Sequence, residues 1–205
     1  DIGASFLNVP RIENQLNKAE SHNKHYLAHE YLNAEWDPKF FLDVKRDLEG
    51  AKLNFVGAAK CLDAFPELLF SEKELEHLNN TQPPELREML KDYIVSKSFR
   101  MDIFIKGGSK LDNKQAEEYL ENTHFSLTKP QGEKKLQIDL PYINKTANLS
   151  ESLVDFFFHQ LAKENASWKE IKENATEFNH SDLLSALNML IHSSQITPVI
   201  SDQVE

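Results

Sequence analysis

The stretch NLSESLVDFFFHQLAKENASWKEIKENATEFNHSDLLSALNMLIHSSQITPVIS, residues 148–201, carries the clearest pattern in the chain. In three successive segments its apolar residues recur at the three- and four-residue spacing of amphipathic helices. Helix-capping residues stand before these segments, namely Asn148 with Glu151, Ser167 with Glu170, and Asn179 or Ser181. An extended segment follows over 196–201. Three short helices followed by a strand are typical of a winged-helix or helix-turn-helix module.

The charges of this region argue against DNA binding by such a module. No Lys or Arg follows Lys172, whereas acidic residues continue to Glu205. A recognition helix needs cationic or amide side chains near its start and basic residues on the flanking phosphates, and Asn179 and His180 alone do not supply them. The sequence therefore predicts no nucleic-acid partner. It favours a protein-interaction or substrate-docking module, with a purely structural cap as the alternative.

The residues before this region indicate one helix and two strands. The expected elements are a helix over 115–121, strands over 124–129 and 135–140 joined by a turn at 130–132, and a linker over 141–146. The two strands are expected to form either a hairpin or two edge strands.

The first 108 residues mix helices with short strands. Asp37 and Pro38 are typical of a helix start and Gly50 of its end. This helix is expected to carry an apolar stripe of Phe40, Phe41, Val44 and Leu48. A strand over 52–57 follows, and then come two helices, opened by Ser71 with Glu74 and by Pro83-Pro84-Glu85. In the last expected strand, Met101, Ile103 and Ile105 alternate with Asp102, Phe104 and Lys106. Gly107 and Gly108 end that strand, and a domain boundary is expected there.

These patterns predict a mainly helical α+β protein. We divide the chain into a helical domain with short strands over 1–108, a connecting helix and hairpin over 109–147, and a winged-helix-like domain over 148–205. This division separates the two predicted short strands within 109–147 from the three predicted helices within 148–205.

Composition limits the classes of protein that fit. The chain has 205 residues and a net charge of −10, and it contains no apolar run of the roughly 18 residues that a membrane span needs. A cytoplasmic protein without a membrane partner is expected. Cys61 is the only cysteine, which excludes internal disulfides and cysteine-rich zinc sites. The chain begins with Asp1 rather than Met, so we expect it to be a piece of a longer polypeptide.

No recognisable catalytic, cofactor or metal motif is present. The sequence lacks a Gly-x-Ser-x-Gly elbow, a phosphate-binding loop and a glycine-rich turn after a strand, so neither a nucleophile nor a dinucleotide or S-adenosylmethionine cradle is predicted. His22, His25 and His29 recur at helical spacing with Glu30 beside them, but no general base lies between two ligands. Solvated histidines are therefore favoured over a metal site.

Four stretches carry a more specific resemblance. They are YLAHEYLN at 26–33, WDP followed by FF at 36–41, AKLNFVG at 51–57 and SFRMDIF at 98–104. In this order they resemble the predicted methyltransferase regulatory domain family. In that family the domain follows a class I S-adenosylmethionine-dependent methyltransferase core on the same bacterial polypeptide and is thought to modulate it. The region beyond residue 109 is similar, more loosely, to the C-terminal region of bacterial protein-lysine methyltransferases.

The resemblance implies a non-catalytic regulatory or substrate-docking region whose catalytic core and S-adenosylmethionine cofactor lie outside this chain. The implied partners are that catalytic domain and a protein substrate, and a homodimer stays open. The resemblance also implies contacts with the missing core or its substrate for His29, Glu30, Tyr31, Trp36 and Arg100. An ion pair between Arg100 and an acidic partner across the junction has an internal salt bridge as its alternative.

Two other functions remain open from the sequence. One is a segment that completes the methyltransferase active site through His29 and Glu30, which would make it part of the catalyst. The other is a winged-helix transcriptional regulator, against which the acidic C-terminal region argues.

Overall fold

The computed structural model describes residues 23–32, 34–35, 37–97, 99–140 and 145–199, without the side chains of Glu30, Tyr31 and Gln131. Helices make up 51% and strands 17% of the structure, which confirms the α+β class. The chain divides into two compact units. Unit 1 contains Asp1–Gly57 and Phe70–Gly107, and unit 2 contains Ala58–Leu69 and Gly108–Glu205.

Unit 1 is built from helices and a two-stranded sheet. Its elements are α1 (Lys24–Tyr31), α2 (Phe41–Gly50), β1 (Leu53–Ala58), α4 (Glu72–Asn80), α5 (Glu85–Val95) and β2 (Asp102–Lys106). Strand β1 pairs with β2. Helix α5 packs against both α2 and α4. Aromatic rings join α2 to the inner face of the sheet, because Phe55 stacks edge-on against buried Phe41 at 4.8 Å and lies 5.6 Å from Phe104.

The predicted start of α2 is wrong by three residues. Asp37 and Pro38 precede the helix, which begins at Phe41 after an extended Phe40. The extended backbone places the Phe40 ring 6.2 Å from that of Tyr93 on α5, and Phe40 stays 59% exposed. Only Phe41 of the predicted apolar stripe is fully buried.

Unit 2 contains the remaining elements. They are a 3₁₀ turn (Cys61–Ala64), α3 (Pro66–Leu69), α6 (Asn113–Asn122), β3 (His124–Leu127), a second 3₁₀ turn (Gln131–Glu133), β4 (Gln137–Leu140), β5 (Lys145–Asn148), α7 (Glu151–Gln160), β6 (Ala166–Ser167), α8 (Trp168–Asn174), α9 (His180–His192) and β7 (Ile196–Val199). The segment 58–69 belongs to this unit, although in sequence it lies between the two parts of unit 1. Its Cys61–Ala64 turn packs on α9, where the Cys61 thiol donates to Asn188 Oδ1 at 2.9 Å.

The predicted hairpin between 124–129 and 135–140 is wrong. Strand β3 is the central strand of an antiparallel sheet with the order β6-β3-β7, whereas β4 pairs with β5 in a separate sheet. The predicted linker over 141–146 includes the start of β5. Because Asn148 is paired with Gln137 in that sheet, Ser150 rather than Asn148 is the N-cap of α7.

The core of unit 2 lies among α7, α8, α9 and the three-stranded sheet. It is formed by buried side chains that include Phe125, Val154, Phe157, Phe158, Trp168, Ile171, Leu187, Leu190 and Ile196. The helix starts predicted at Ser71, Ser167 and Asn179 are confirmed, the first two as complete capping boxes. The order of three helices followed by a strand is also observed over 151–199.

Candidate functional site

The residues predicted at the end of α1 are only partly described. His29 is exposed in the last turn of the helix, which Asn23 caps by accepting a hydrogen bond from the His25 amide at 2.9 Å. Glu30 and Tyr31 belong to the same turn by their backbone, and Trp36 lies outside the described residues. Their role in an interface therefore stays a prediction.

Arg100 lies at the centre of a charged cluster in unit 1. Its Nη2 is 3.0 Å from Glu88 Oε2 and 2.8 Å from Asp102 Oδ1, and its Nη1 is 2.8 Å from Asp92 Oδ2. Its Nε donates to Asp102 Oδ2 at 2.9 Å, and Nη1 also donates to the Glu88 carbonyl at 3.3 Å. A guanidinium has five N–H donors, so these contacts occupy all of them. The arrangement is the internal salt bridge that the sequence offered as an alternative.

The cluster joins α5, the start of β2 and α2. Glu88 and Asp92 are one turn apart on α5, and Asp102 is the first residue of β2. The Arg100 guanidinium carbon lies 4.3 Å from the centre of the Phe41 ring, within the range of a cation–π contact. Because the Arg100 side chain is only 14% exposed, water screens these contacts less than those of a surface pair.

Burial and charge act in opposite directions on these groups. Burial by itself would lower the pKa of Arg100, but its three carboxylate partners raise that pKa and keep the guanidinium charged. Burial raises the pKa of Glu88, but Lys91 and Arg100 together outweigh it and hold the pKa below its ordinary value. For Asp92 burial is the largest single influence, and together with the charge of Glu88 it raises the pKa against the opposing effects of Arg100 and Lys97.

We expect two neighbouring carboxylates to give opposite pH dependences. The lowered pKa of Glu88 contributes stability that is lost as pH falls through that pKa, so Glu88→Gln should cost more near pH 7 than near pH 3. The raised pKa of Asp92 contributes stability that is lost as pH rises through that pKa, so Asp92→Asn should cost more near pH 3 than near pH 7. Urea unfolding of both variants at the two pH values measures the difference. Glu118→Gln on exposed α6 is the control, and parallel pH profiles for the two variants would contradict the expectation.

The opposite side of β2 presents an apolar surface to solvent. Asp102 and Phe104 point inward, whereas Met101, Ile103 and Ile105 are 48%, 45% and 41% exposed. Val56 of β1 is 56% exposed and Phe99 is 78% exposed. We call these five residues the outer sheet face. Apolar residues grouped in this way on a surface mark interaction sites more often than single exposed residues do.

Sequence reasoning missed most of the cluster around Arg100. The signals were present, because Glu88 and Asp92 have the four-residue spacing of one helix face and Arg100 and Asp102 have the two-residue spacing of one strand face. Combining them required the knowledge that α5 and β2 are neighbours. The outer sheet face was visible as an alternation, but the alternation does not say which side is buried.

The described residues contain no cluster of metal-ligating side chains. Within them, no group of three or more His, Cys, Asp or Glu side chains is arranged to hold a metal ion. Gly50, Gly57, Gly107 and Gly132 each have open space where a Cβ would stand, so no close contact with another described residue requires glycine at these positions. No described helix is long and apolar enough to cross a membrane.

Comparisons with known proteins agree with the resemblance found in the sequence. Residues 23–106 match the family model described as predicted methyltransferase regulatory domain. The uncharacterized protein sll1526 of Synechocystis sp. is 35% identical over 136 residues, which are 66% of this chain and 27% of that protein.

Solved structures with a similar fold include PKMT2 from Rickettsia typhi. The match has a TM-score of 0.56 at 14% identity and covers 94% of this chain and 42% of that one. The complex of PKMT2 with AdoHcy matches with a TM-score of 0.57 and 41% of its length. The chain thus spans about a quarter of sll1526 and about two fifths of PKMT2.

Proposed function

We propose, on the premise that residues 23–106 match the predicted methyltransferase regulatory domain family, that this chain is the regulatory and substrate-docking region of an S-adenosylmethionine-dependent methyltransferase. The chain itself is non-catalytic in this proposal. The catalytic domain lies elsewhere on the same polypeptide and binds the cofactor. The AdoHcy complex of PKMT2, whose fold is similar over 94% of this chain, supports the cofactor class.

The outer sheet face is the observation that carries this proposal. Three exposed apolar side chains lie on β1 and β2, and two more belong to the residues just before β2, so this side has no covering layer among the described residues. Burial of apolar surface away from water contributes a favourable free energy of about 25 cal/mol per Å². The relatives have more than half of their length outside the part that this chain matches. We therefore assign the outer sheet face as the surface on which the catalytic domain docks.

Arg100 acts in this proposal as a positioning residue. Its five donors are all used within unit 1, so it supports the interface by holding Asp102 inward instead of contacting the partner. Since side chains alternate along a strand, an inward Asp102 directs Met101 and Ile103 outward. His29, Glu30, Tyr31 and Trp36 complete the proposed contact region.

The C-terminal region is proposed as a winged-helix-like protein-interaction module. Its order of helices and strands supports this assignment, although the central strand of its sheet is β3, which precedes the three helices. The last basic residue, Lys172, is ion-paired with Glu121 and does not extend a cationic surface. A protein partner is therefore favoured over DNA for this module.

We expect Ile103→Asp to change methyl transfer by the full polypeptide at least about fivefold, which corresponds to the loss of about 1 kcal/mol of docking energy. The substitution places a charge on the outer sheet face without touching the inner core. The measurement is turnover with each acceptor substrate, together with the melting temperature as a check on folding. Tyr119→Asp in unit 2 is the matched control, since Tyr119 is also an exposed large side chain, at 69% exposure.

Unchanged turnover and substrate range for Ile103→Asp would overturn the proposed interface. His29→Ala in the same assay addresses the alternative in which His29 and Glu30 complete the active site. Loss of turnover with substrate binding retained would favour that alternative, whereas altered substrate preference would favour regulation.

A further inference from the structure

Unit 2 contains an open groove beside its central strand. One wall is formed by the end of β3 and the residues that follow it, 126–130, and the other by the loop 161–165 between α7 and β6. The groove has a volume of about 520 Å³. It lies within unit 2 and shares no residue with the outer sheet face.

The groove lies beside the part of β3 that the two-residue strand β6 does not reach. All four residues of β3 pair with β7, but only His124 and Phe125 pair with β6. In the ranges that the structure describes, no backbone hydrogen bond joins 126–130 to 161–165. Among the described residues, the β6 side of β3 therefore has no strand partner from Ser126 onward.

Leu127 supplies the backbone groups that point into the groove. The amide of Thr128 donates to the Gln195 carbonyl on the β7 side at 3.0 Å, and the Thr123 carbonyl accepts from Trp168 on the β6 side at 2.9 Å. Backbone groups of successive strand residues alternate between the two neighbouring strands. The N–H and C=O of Leu127 thus face the β6 side, beyond the last pair of β3 and β6 residues. The Ser126 hydroxyl donates a long hydrogen bond of 3.4 Å to the same carbonyl.

The groove is more basic than the rest of this acidic chain. Its walls carry Lys129 and Lys163 against the single acid Glu164, while the whole chain has a net charge of −10. Both lysines are exposed, and Lys129 Nζ is 3.9 Å from Glu133 in a loose surface contact. An extended ligand that lies along Leu127 would lie between the two chain segments that carry these lysines.

We propose that this groove binds an extended, acidic peptide segment as an added strand on β3. The main chain of the peptide pairs with the N–H and C=O of Leu127, whose carbonyl oxygen has a second lone pair beside the one that the Ser126 hydroxyl occupies, and its carboxylates lie near Lys129 and Lys163. Strand addition of this kind takes its affinity from main-chain hydrogen bonds and its selectivity from side-chain contacts. The proposal concerns a second surface and does not depend on the docking role of the outer sheet face.

The test uses the whole chain of 205 residues and two synthetic peptides, acetyl-Glu-Val-Glu-Val-Glu-amide and acetyl-Lys-Val-Lys-Val-Lys-amide. Calorimetry is expected to show at least about tenfold tighter binding of the acidic peptide. In amide NMR spectra that peptide should shift the Leu127 signal and slow its hydrogen exchange. N-methylation of the central peptide amides should weaken binding, because it removes the donors that pair with the strand.

Charge reversal of both lysines, in the variant Lys129→Glu with Lys163→Glu, is expected to weaken binding of the acidic peptide at least about tenfold. Lys145→Glu on β5 is the matched control, because Lys145 is an exposed lysine of the other sheet of unit 2. Equal binding of both peptides, an unshifted Leu127 amide, or wild-type affinity in the double variant would overturn the proposal. Self-association of the chain that the double variant abolishes would also overturn it and assign the edge to a second copy.

Discussion

Replacing Arg100 with alanine is expected to lower the free energy of unfolding by about 3 kcal/mol, at the lower end of the cost of breaking a buried ion pair. The variant leaves Glu88, Asp92 and Asp102 close together without the guanidinium that neutralises them. All three carboxylate side chains are at most 21% exposed, so water replaces the lost hydrogen bonds poorly. Equilibrium unfolding in urea near neutral pH, compared with the wild-type protein, measures the loss.

Arg46→Ala is the matched control for this prediction. Arg46 pairs with Asp43 on the surface of α2 at 3.3 Å, and its side chain is 75% exposed. Exposed pairs of this kind contribute about 0–1 kcal/mol. Arg100→Lys should be intermediate, because an ammonium keeps the charge but cannot replace the five donors of the guanidinium. Equal losses for Arg100→Ala and Arg46→Ala would show that the cluster does not stabilise unit 1.

Replacing Trp168 with alanine is expected to cost about 4 kcal/mol, within the usual range for removing a large aromatic side chain from a core. Trp168 is 1% exposed at the start of α8 and packs edge-on against Phe125 of β3 at 6.5 Å. Its backbone amide keeps its hydrogen bond to Thr123 in the variant, so the loss reports on the indole ring. A loss of this size is a large part of the 5–15 kcal/mol that stabilises a typical domain.

Circular dichroism is the suitable measurement for this variant, because the substitution removes one of the two tryptophans in the chain. Lys169→Ala, at the exposed neighbouring position, is the control and should change stability by less than about 0.5 kcal/mol. Trp168→Phe should lose less than Trp168→Ala because a ring still fills the site. A loss below about 1 kcal/mol for Trp168→Ala would contradict the expectation that this side chain is central to the core.

Features that depend on local sequence were predicted well. The capping boxes of Ser71 with Glu74 and of Ser167 with Glu170 involve residues three apart, and both are present in the structure. Strands β1 and β2 were recognised from their alternation within a few residues of their bounds. Such signals need no knowledge of what packs against the element.

Features that depend on distant partners were predicted poorly. Strand β3 was predicted either to form a hairpin with the next strand in sequence or to be an edge strand. It lies instead between β6 and β7, which follow it by about forty and seventy residues. Neighbouring strands in sequence pair roughly two thirds of the time, as β1 with β2 and β4 with β5 do here, but β3 is an exception. The buried side chain of Gln195 was missed for the same reason, since its Oε1 accepts from the Lys135 amide, sixty residues away in sequence.

The sequence predicted the family resemblance but not the geometry of the candidate site. The motif order placed the resemblance at roughly 20–108, and the family model matches 23–106. Arg100 was singled out from that resemblance, but its partners Glu88 and Asp92 were not, because nothing in the local sequence brings α5 next to β2. The exposed side of β2 needed the same information, since the inward direction of Asp102 is evident only from its hydrogen bonds with Arg100.

The discontinuous second unit bears on how this protein can be shortened. Residues 58–69 lie between β1 and α4 in sequence but belong with 108–205. A truncation that starts at residue 108 therefore removes Leu62, which is 1% exposed, and the thiol that donates to Asn188. The shortened protein would lack the Cys61–Ala64 turn that packs on α9, and apolar surface of that helix would be exposed to water. A protein that contains unit 2 alone should therefore join residues 58–69 to 108–205, instead of starting at residue 108.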